Sequence, residues 1–152
     1  MILDVARMDP EGEDFEGDDP VEALEWDFER DHIFYPVAPV HYRLHAQIAG
    51  DEILVTGSVS TRFGGTCTRC GGPLDIEVRE DEVCQSYPYQ KGADQRVDLT
   101  PEERISIILA LPANPVCRPD CLGVCPRCGH RLEEGPCGCS ERNNPFAGLQ
   151  LP

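Results

Sequence analysis

The chain has 152 residues, 40% of them hydrophobic, a formal net charge of −15 and nine cysteines. That length suffices for one domain with a packed core. No apolar run approaches the roughly 20 residues of a membrane span, and an odd cysteine count fits a complete disulfide framework poorly.

The acidity is unevenly placed. Residues 1–31 carry 13 acids and 2 arginines, residues 32–111 carry 11 acids and 7 bases, and residues 112–152 carry 4 of each. Whole-chain charge argues against nucleic-acid binding, but the neutral C-terminal part escapes that argument. The opening MILDVARMDPEGEDFEGDD has no basic stretch followed by an apolar one, so no secretory signal is expected. A reducing cytoplasm, where structural disulfides are rare, is the expected location.

Three parts are expected in chain order. Residues 1–36 read as an acidic, largely extended N-terminal arm, with residues 9–31 solvated or disordered. Phe15, Leu24, Trp26 and Phe28 interrupt its charge and can dock as one short element. Residues 37–111 read as a β-hairpin sheet plus a helix. VHYRLHAQIAG and EILVTGSVSTRF are two strands turning at Ala49-Gly50-Asp51, and PLDIEVREDEVCQSYP alternates apolar and charged residues at Leu74, Ile76 and Val78. FGGTCTRCGG joins two of these strands, so a cysteine knuckle caps a hairpin.

Residues 87–98 read as a loop. TPEERISIILAL is the best helix, with Thr100 as N-cap, Pro101 at the first helical position and Glu103 completing a capping box. Ile105, Ile108 and Leu109 share a face expected to pack on the sheet, widened by Ile107 and Leu111. Residues 112–152 read as an irregular, cysteine-rich, zinc-binding tail. The fold class is α+β: a small antiparallel hairpin sheet, one short packed helix and zinc knuckles.

The cysteines carry the chemistry. CTRCGGPL at residues 67–74 and CPRCGHRL at 125–132 are two copies of C-x-R-C-G-x-x-L. Two residues between thiolates let both sulfurs reach one ion at about 2.3 Å. A following glycine accepts positive φ and aims backbone N–H groups at the sulfurs. Cys117/Cys121 and Cys137/Cys139 supply two further pairs, enough for two zinc ions. Cys67, Cys70, Cys117 and Cys121 are expected at one, and Cys125, Cys128, Cys137 and Cys139 at the other. An alternative grouping puts Cys117, Cys121, Cys125 and Cys128 on one ion and leaves Cys67 and Cys70 empty. Cys84 reads as a small buried hydrophobe.

Other chemistries fit less well. A thioredoxin-type pair wants a strand-to-helix turn, and the ferredoxin run C-x2-C-x2-C is absent. His41 and His45 stand four apart in a strand and read as a wet sheet face. There is no H-E-x-x-H pattern, nucleophile elbow or Gly-rich phosphate loop, so neither an enzyme nor a small-molecule substrate is expected.

The hairpin knuckle CTRCGGPL, the helix ending LALPANPVC, then CRPDCLGVCPRCGHRLEEGPCGC and NPFAGL together resemble the YceD-like family, called large ribosomal RNA subunit accumulation protein. The resemblance covers roughly residues 37–149. It implies a non-enzymatic ribosome biogenesis factor supporting accumulation of large-subunit (23S) ribosomal RNA, with that RNA or a pre-ribosomal particle as partner. The chain departs from the family at Gly71 and Gly72, at Arg131, Leu132 and Glu133, and in lacking a lysine-rich end.

Eight thiolates outweigh two dications, so RNA contact would fall to arginines: Arg62 and Arg69 at the hairpin tip, and Arg118, Arg127 and Arg131 around the tail knuckle. The acidic arm would then mimic RNA and cover that patch. In the bland reading these arginines are solvated or neutralise nearby thiolates. Two alternative functions remain: a zinc-binding protein–protein adaptor that meets a protein partner through the arm without touching RNA, and a thiol-redox protein.

Overall fold

The computed structural model describes residues 1–9, 11–26 and 34–139. Phe28 and the NPFAGL segment lie outside the described residues. Seven strands and one α-helix are present among those described: β1 (Ile2–Asp4), β2 (Glu13–Asp19), β3 (Phe34–Pro36), β4 (Val40–Ala49), β5 (Glu52–Thr66), β6 (Pro73–Pro88), β7 (Arg96–Asp98) and α1 (Thr100–Ala110). This is an α+β architecture dominated by antiparallel sheet. The larger sheet runs β2–β4–β5, with β3 and β6 also pairing with β5, and β1 pairs with β7 in a small second sheet.

The long β5–β6 hairpin is the scaffold. It pairs from Glu52↔Pro88 to Thr66↔Pro73, so its tip presents the loop that holds Cys67 and Cys70. One face buries Val40, Leu44, Ala46, Ile53, Val55, Val59, Phe63, Leu74 and Val78. Trp26 and Phe34 meet Phe63 edge-on, with ring centroids 5.6 and 6.2 Å away.

The register slips between Gly57↔Val83 and Val59↔Glu80, which places one extra residue in β6. Such a bulge flips the side-chain phase. Even positions Leu74 and Val78 face the core before it, and the odd position Val83 does so after it. Cys84 therefore points away from the core and is exposed, contrary to its expected burial.

Four further expectations are corrected. The acidic stretch is not a free arm. β2 pairs along its whole length with β4, from Glu13↔Ala46 to Asp19↔Val40, and Leu3, Val5, Met8 and Leu24 join the core. Its acids find partners across the strand pair: Asp14–His45 at 2.7 Å, Glu16–Arg43 at 2.9 Å and Asp18–His41 at 3.1 Å. Cross-strand side-chain pairs stabilise a sheet, so a charged sequence can be a strand.

The capping box is also absent. Thr100 is the first helical residue, its N–H bonds Asp98 Oδ1 at 3.0 Å, and Glu103 is buried. Burial pushes the Glu103 carboxyl up to about 8, against the Met1 ammonium 3.5 Å away and together with neighbouring Asp19. Finally, α1 buries Glu103, Ser106 and Ile107, whereas Ile105, Ile108 and Leu109 face solvent, Leu109 at 78% exposure. The loop expected over 87–98 is broken by the three-residue strand β7.

Candidate metal centre

The two copies of the cysteine motif fold alike. In the first, Gly71 N–H bonds Cys67 O at 2.9 Å and Cys67 N–H bonds Gly72 O at 2.8 Å. In the second, Gly129 N–H bonds Cys125 O at 2.9 Å and Cys125 N–H bonds His130 O at 2.8 Å. Gly71 and Gly129 hold φ of 65° and 72°, the left-handed conformation that glycine adopts without strain. The tight turn brings each pair of thiols together and points amides at sulfur, as Gly72 N–H does at Cys70 Sγ, 3.4 Å away.

The structure gathers eight cysteines into two groups of four. Cys67, Cys70, Cys117 and Cys121 form one, and Cys125, Cys128, Cys137 and Cys139 the other, with the sulfurs of each group within 4.8 Å of one another. The alternative grouping of 117, 121, 125 and 128 is not the one that forms. Cys67–Cys121 and Cys70–Cys117 are each 3.9 Å apart between sulfurs. A disulfide is about 2.05 Å long, so these are free thiols. A tetrahedron with sulfurs at about 2.3 Å from its centre has edges of about 3.8 Å, so the donor set fits one tetrahedral ion. Both groups can hold a metal ion.

The first group sits where β5, β6 and the segment after α1 converge. Thr68 locks this junction, with its N–H and hydroxyl both donating to Pro115 O at 2.9 Å. Pro115 is fully buried. Sequence reasoning passed over both residues, although PANPVC shows a proline-fixed run directly before Cys117.

The electrostatics suit cation binding. Burial works against the Cys67 thiolate, but backbone amides of Cys117, Cys70 and Arg69 outweigh it and hold the thiol at about 6. Backbone amides of Arg127 and Cys128 bring Cys125 to about 6. Burial pushes Cys121 up to about 12, and Cys139 reaches about 12 chiefly through its hydrogen bond with Cys128. Each group thus has one readily ionised thiol, Cys67 or Cys125, beside one, Cys121 or Cys139, that holds its proton until a cation compensates it.

The expected arginine patch is only partly assembled, and it is mixed in sign. Arg69 Nη1 lies 3.4 Å from both Pro119 O and Cys121 O. Arg118 pairs with Asp120 at 3.3 Å and Glu133 at 2.9 Å. Arg131 lies 3.7 Å from each of Glu133 and Glu134, and 3.7 Å from Cys70 Sγ. Arg127 sits inside the tail knuckle, with its amide on Cys125. Arg62 stands in β5 and pairs with Asp75 at 2.5 Å. Glu133, shared by Arg118 and Arg131, was not anticipated. The acids of β2 meet His41, Arg43 and His45, so the described part of the N-terminal stretch covers β4 and not these arginines.

Comparison with known proteins places the C-terminal part. The family model "Large ribosomal RNA subunit accumulation protein YceD" matches residues 85–151, so that segment is similar to the family's sequences. An uncharacterized protein of Mycobacterium tuberculosis is 32% identical over 106 aligned positions, covering 61% of this chain and 51% of the relative. An uncharacterized protein of Mycobacterium leprae is 28% identical over 123 positions, covering 72% of this chain and 56% of the relative. The chain thus spans about half the length of the curated relatives it matches. No solved structure matches it. No helix among the described residues is long and apolar enough to cross a membrane.

Proposed function

We propose that this YceD-like chain is a non-enzymatic ribosome biogenesis factor of the cytoplasm, supporting accumulation of large-subunit (23S) ribosomal RNA and built around two zinc ions. The observation that carries the reading is that the family-matched segment, residues 85–151, contains six of the eight grouped cysteines. The role implied by the family's printed name thus falls on the stretch that carries the whole tail group and half of the hairpin group.

Zinc is the ion that best suits four clustered thiols in a reducing compartment. It has no redox chemistry and accepts a tetrahedral sulfur set, and sites closed by four protein ligands are structural. Cys67, Cys70, Cys117 and Cys121 would hold one ion, and Cys125, Cys128, Cys137 and Cys139 the other. The metal would supply a cross-link. The chain would supply the amides that steady the thiolates and the arginines that offset their charge.

RNA contact would fall to Arg69 and Arg127 in the two knuckles, with Arg62, Arg118 and Arg131 flanking them. Phosphates would have to compete with Asp75, Asp120, Glu133 and Glu134. Co-sedimentation with large-subunit precursor particles tests the reading, and binding should vanish after nuclease treatment. Changing Arg69 and Arg127 together to Glu should abolish RNA binding and leave zinc content at two. RNA binding at wild-type strength in about 0.15 M salt would exclude these residues.

One observation favours a second reading. Ile105, Ile108 and Leu109 form an exposed apolar face on α1, which suits a protein partner better than phosphate. A zinc-stapled adaptor would co-sediment regardless of nuclease.

A further inference from the structure

We infer that Arg131 couples the two metal sites, so that loading the tail site raises the metal affinity of the hairpin site. The inference rests on the zinc reading above and assigns a positioning role within it.

Arg131 belongs by its backbone to the tail knuckle and by its side chain to the hairpin site. It follows Cys128 by three residues and bridges to Val124. The strand-like contact is closed by Cys125 N–H on His130 O at 2.8 Å and Leu132 N–H on Gly123 O at 3.0 Å. From there its guanidinium reaches Cys70 Sγ at 3.7 Å. Glu133 and Glu134 flank it at 3.7 Å each. Glu133 also takes Arg118, which directly follows Cys117. Arg118, Glu133, Arg131 and Cys70 thus connect both halves of the hairpin site through the tail.

Space has been left for this reach. A Cβ on Gly72 would lie 2.6 Å from Arg131 Nη2 and 3.2 Å from Cys70 Sγ. No positive φ requires glycine at this position, and a side chain here would meet the flexible end of Arg131 beside the Cys70 sulfur. Gly72 and Arg131 therefore face each other across the hairpin site.

Four thiolates around a dication carry a net charge of about −2. A guanidinium on one sulfur offsets part of that charge and orients the ligand, as outer-shell partners of metal ligands do. When the tail pairs close on their ion, the Cys125–Arg131 turn is fixed and the guanidinium is delivered to Cys70. Linkage makes the effect reciprocal: the hairpin ion must favour the tail ion by the same factor.

The test uses the full chain and zinc alone, with dissociation constants from competition against a chromophoric chelator. Four proteins are compared: wild type, Arg131→Gln, the pair Cys137→Ser/Cys139→Ser, and all three changes together. Cys67→Ser identifies the hairpin site. Arg131→Gln should weaken the hairpin site about tenfold. Removing the tail site should weaken it by a similar factor, and the triple variant should be no weaker than either. Arg131→Lys should recover part of the loss. Gly72→Ala, which keeps the arginine but displaces it, should weaken the site in the wild-type background more than in the Arg131→Gln background.

The inference is overturned if Arg131→Gln leaves the hairpin site within twofold of wild type. It is equally overturned if loss of the tail site costs as much in the Arg131→Gln variant as in the wild-type chain. A wild-type chain that binds no zinc overturns the metal reading itself.

Discussion

The two knuckles share a sequence, a turn and a hydrogen-bond pattern, yet they serve different parts of the fold. The hairpin knuckle is deep in the protein, with Cys67 at 1% exposure and Cys70 at 3%. Its partner cysteines come from far away, Cys117 lying 47 residues beyond Cys70. The tail knuckle is shallower, with Cys128 exposed and Cys137 and Cys139 half-buried. Its partners follow after eight intervening residues. The motif therefore specifies a local turn, and the origin of the second pair of thiols decides whether the site ties the whole fold or only one end.

The largest expected effect comes from breaking the long-range site. Cys67→Ser should lower zinc from two to about one per chain and loosen the β5–β6 tip from the segment after α1. In the chain-entropy account, a cross-link over about 47 residues is worth about 4 kcal/mol, and one over about ten residues about 3. Thermal unfolding and metal analysis of the purified variant check this. Unchanged zinc and unchanged stability would mean that the cross-linking site does not operate.

A smaller effect is expected from Cys137→Ser/Cys139→Ser, which should also remove one zinc. Hydrogen exchange should then quicken over residues 122–139 and leave the middle of β5 and β6 protected, because the tail closes on itself. Exposure predicts the order of metal loss as well. Under a limiting chelator the shallower tail site should empty first, followed by the buried one. Simultaneous loss would erase the distinction between them, at least kinetically.

This contrast was readable in the sequence because it rests on spacing. C-x-x-C fixes which thiols meet, and eight residues fix which pairs close locally. The three long strands were readable for a similar reason: β4, β5 and β6 carry alternating or β-branched runs bounded by turn residues. What escaped was set by tertiary context. EDFEGDD has one large apolar residue, so nothing in its hydropathy announces β2, and its pairing depends on His41, Arg43 and His45 opposite. Helix α1 is apolar at 105, 107, 108, 109 and 110, nearly all round, so periodicity could not choose between faces. The fold chose Ile107 and accepted Glu103 and Ser106 beside it. Cys84 was misplaced because a single extra residue in β6 inverts the alternation that precedes it.

The finest test of the comparison uses the shared glycines. Gly71 and Gly129 have nearly the same φ, and a Cβ at either would meet nothing within 4 Å. Alanine at either position therefore adds backbone strain without a clash, about 1–2 kcal/mol in the left-handed region. The local cost should be equal, but its readout should not. At Gly71 the strain falls on a turn whose cysteines join β5 and β6 to residues 117–121, so Gly71→Ala should lower the global unfolding temperature. At Gly129 it falls on a turn that closes on its own tail and reaches the hairpin site only through Arg131 at Cys70, so Gly129→Ala should weaken zinc chiefly at the tail site and lower the main transition by less than Gly71→Ala does. Equal shifts in unfolding temperature would show that the tail unfolds together with the sheet, and that the two sites form one cooperative unit.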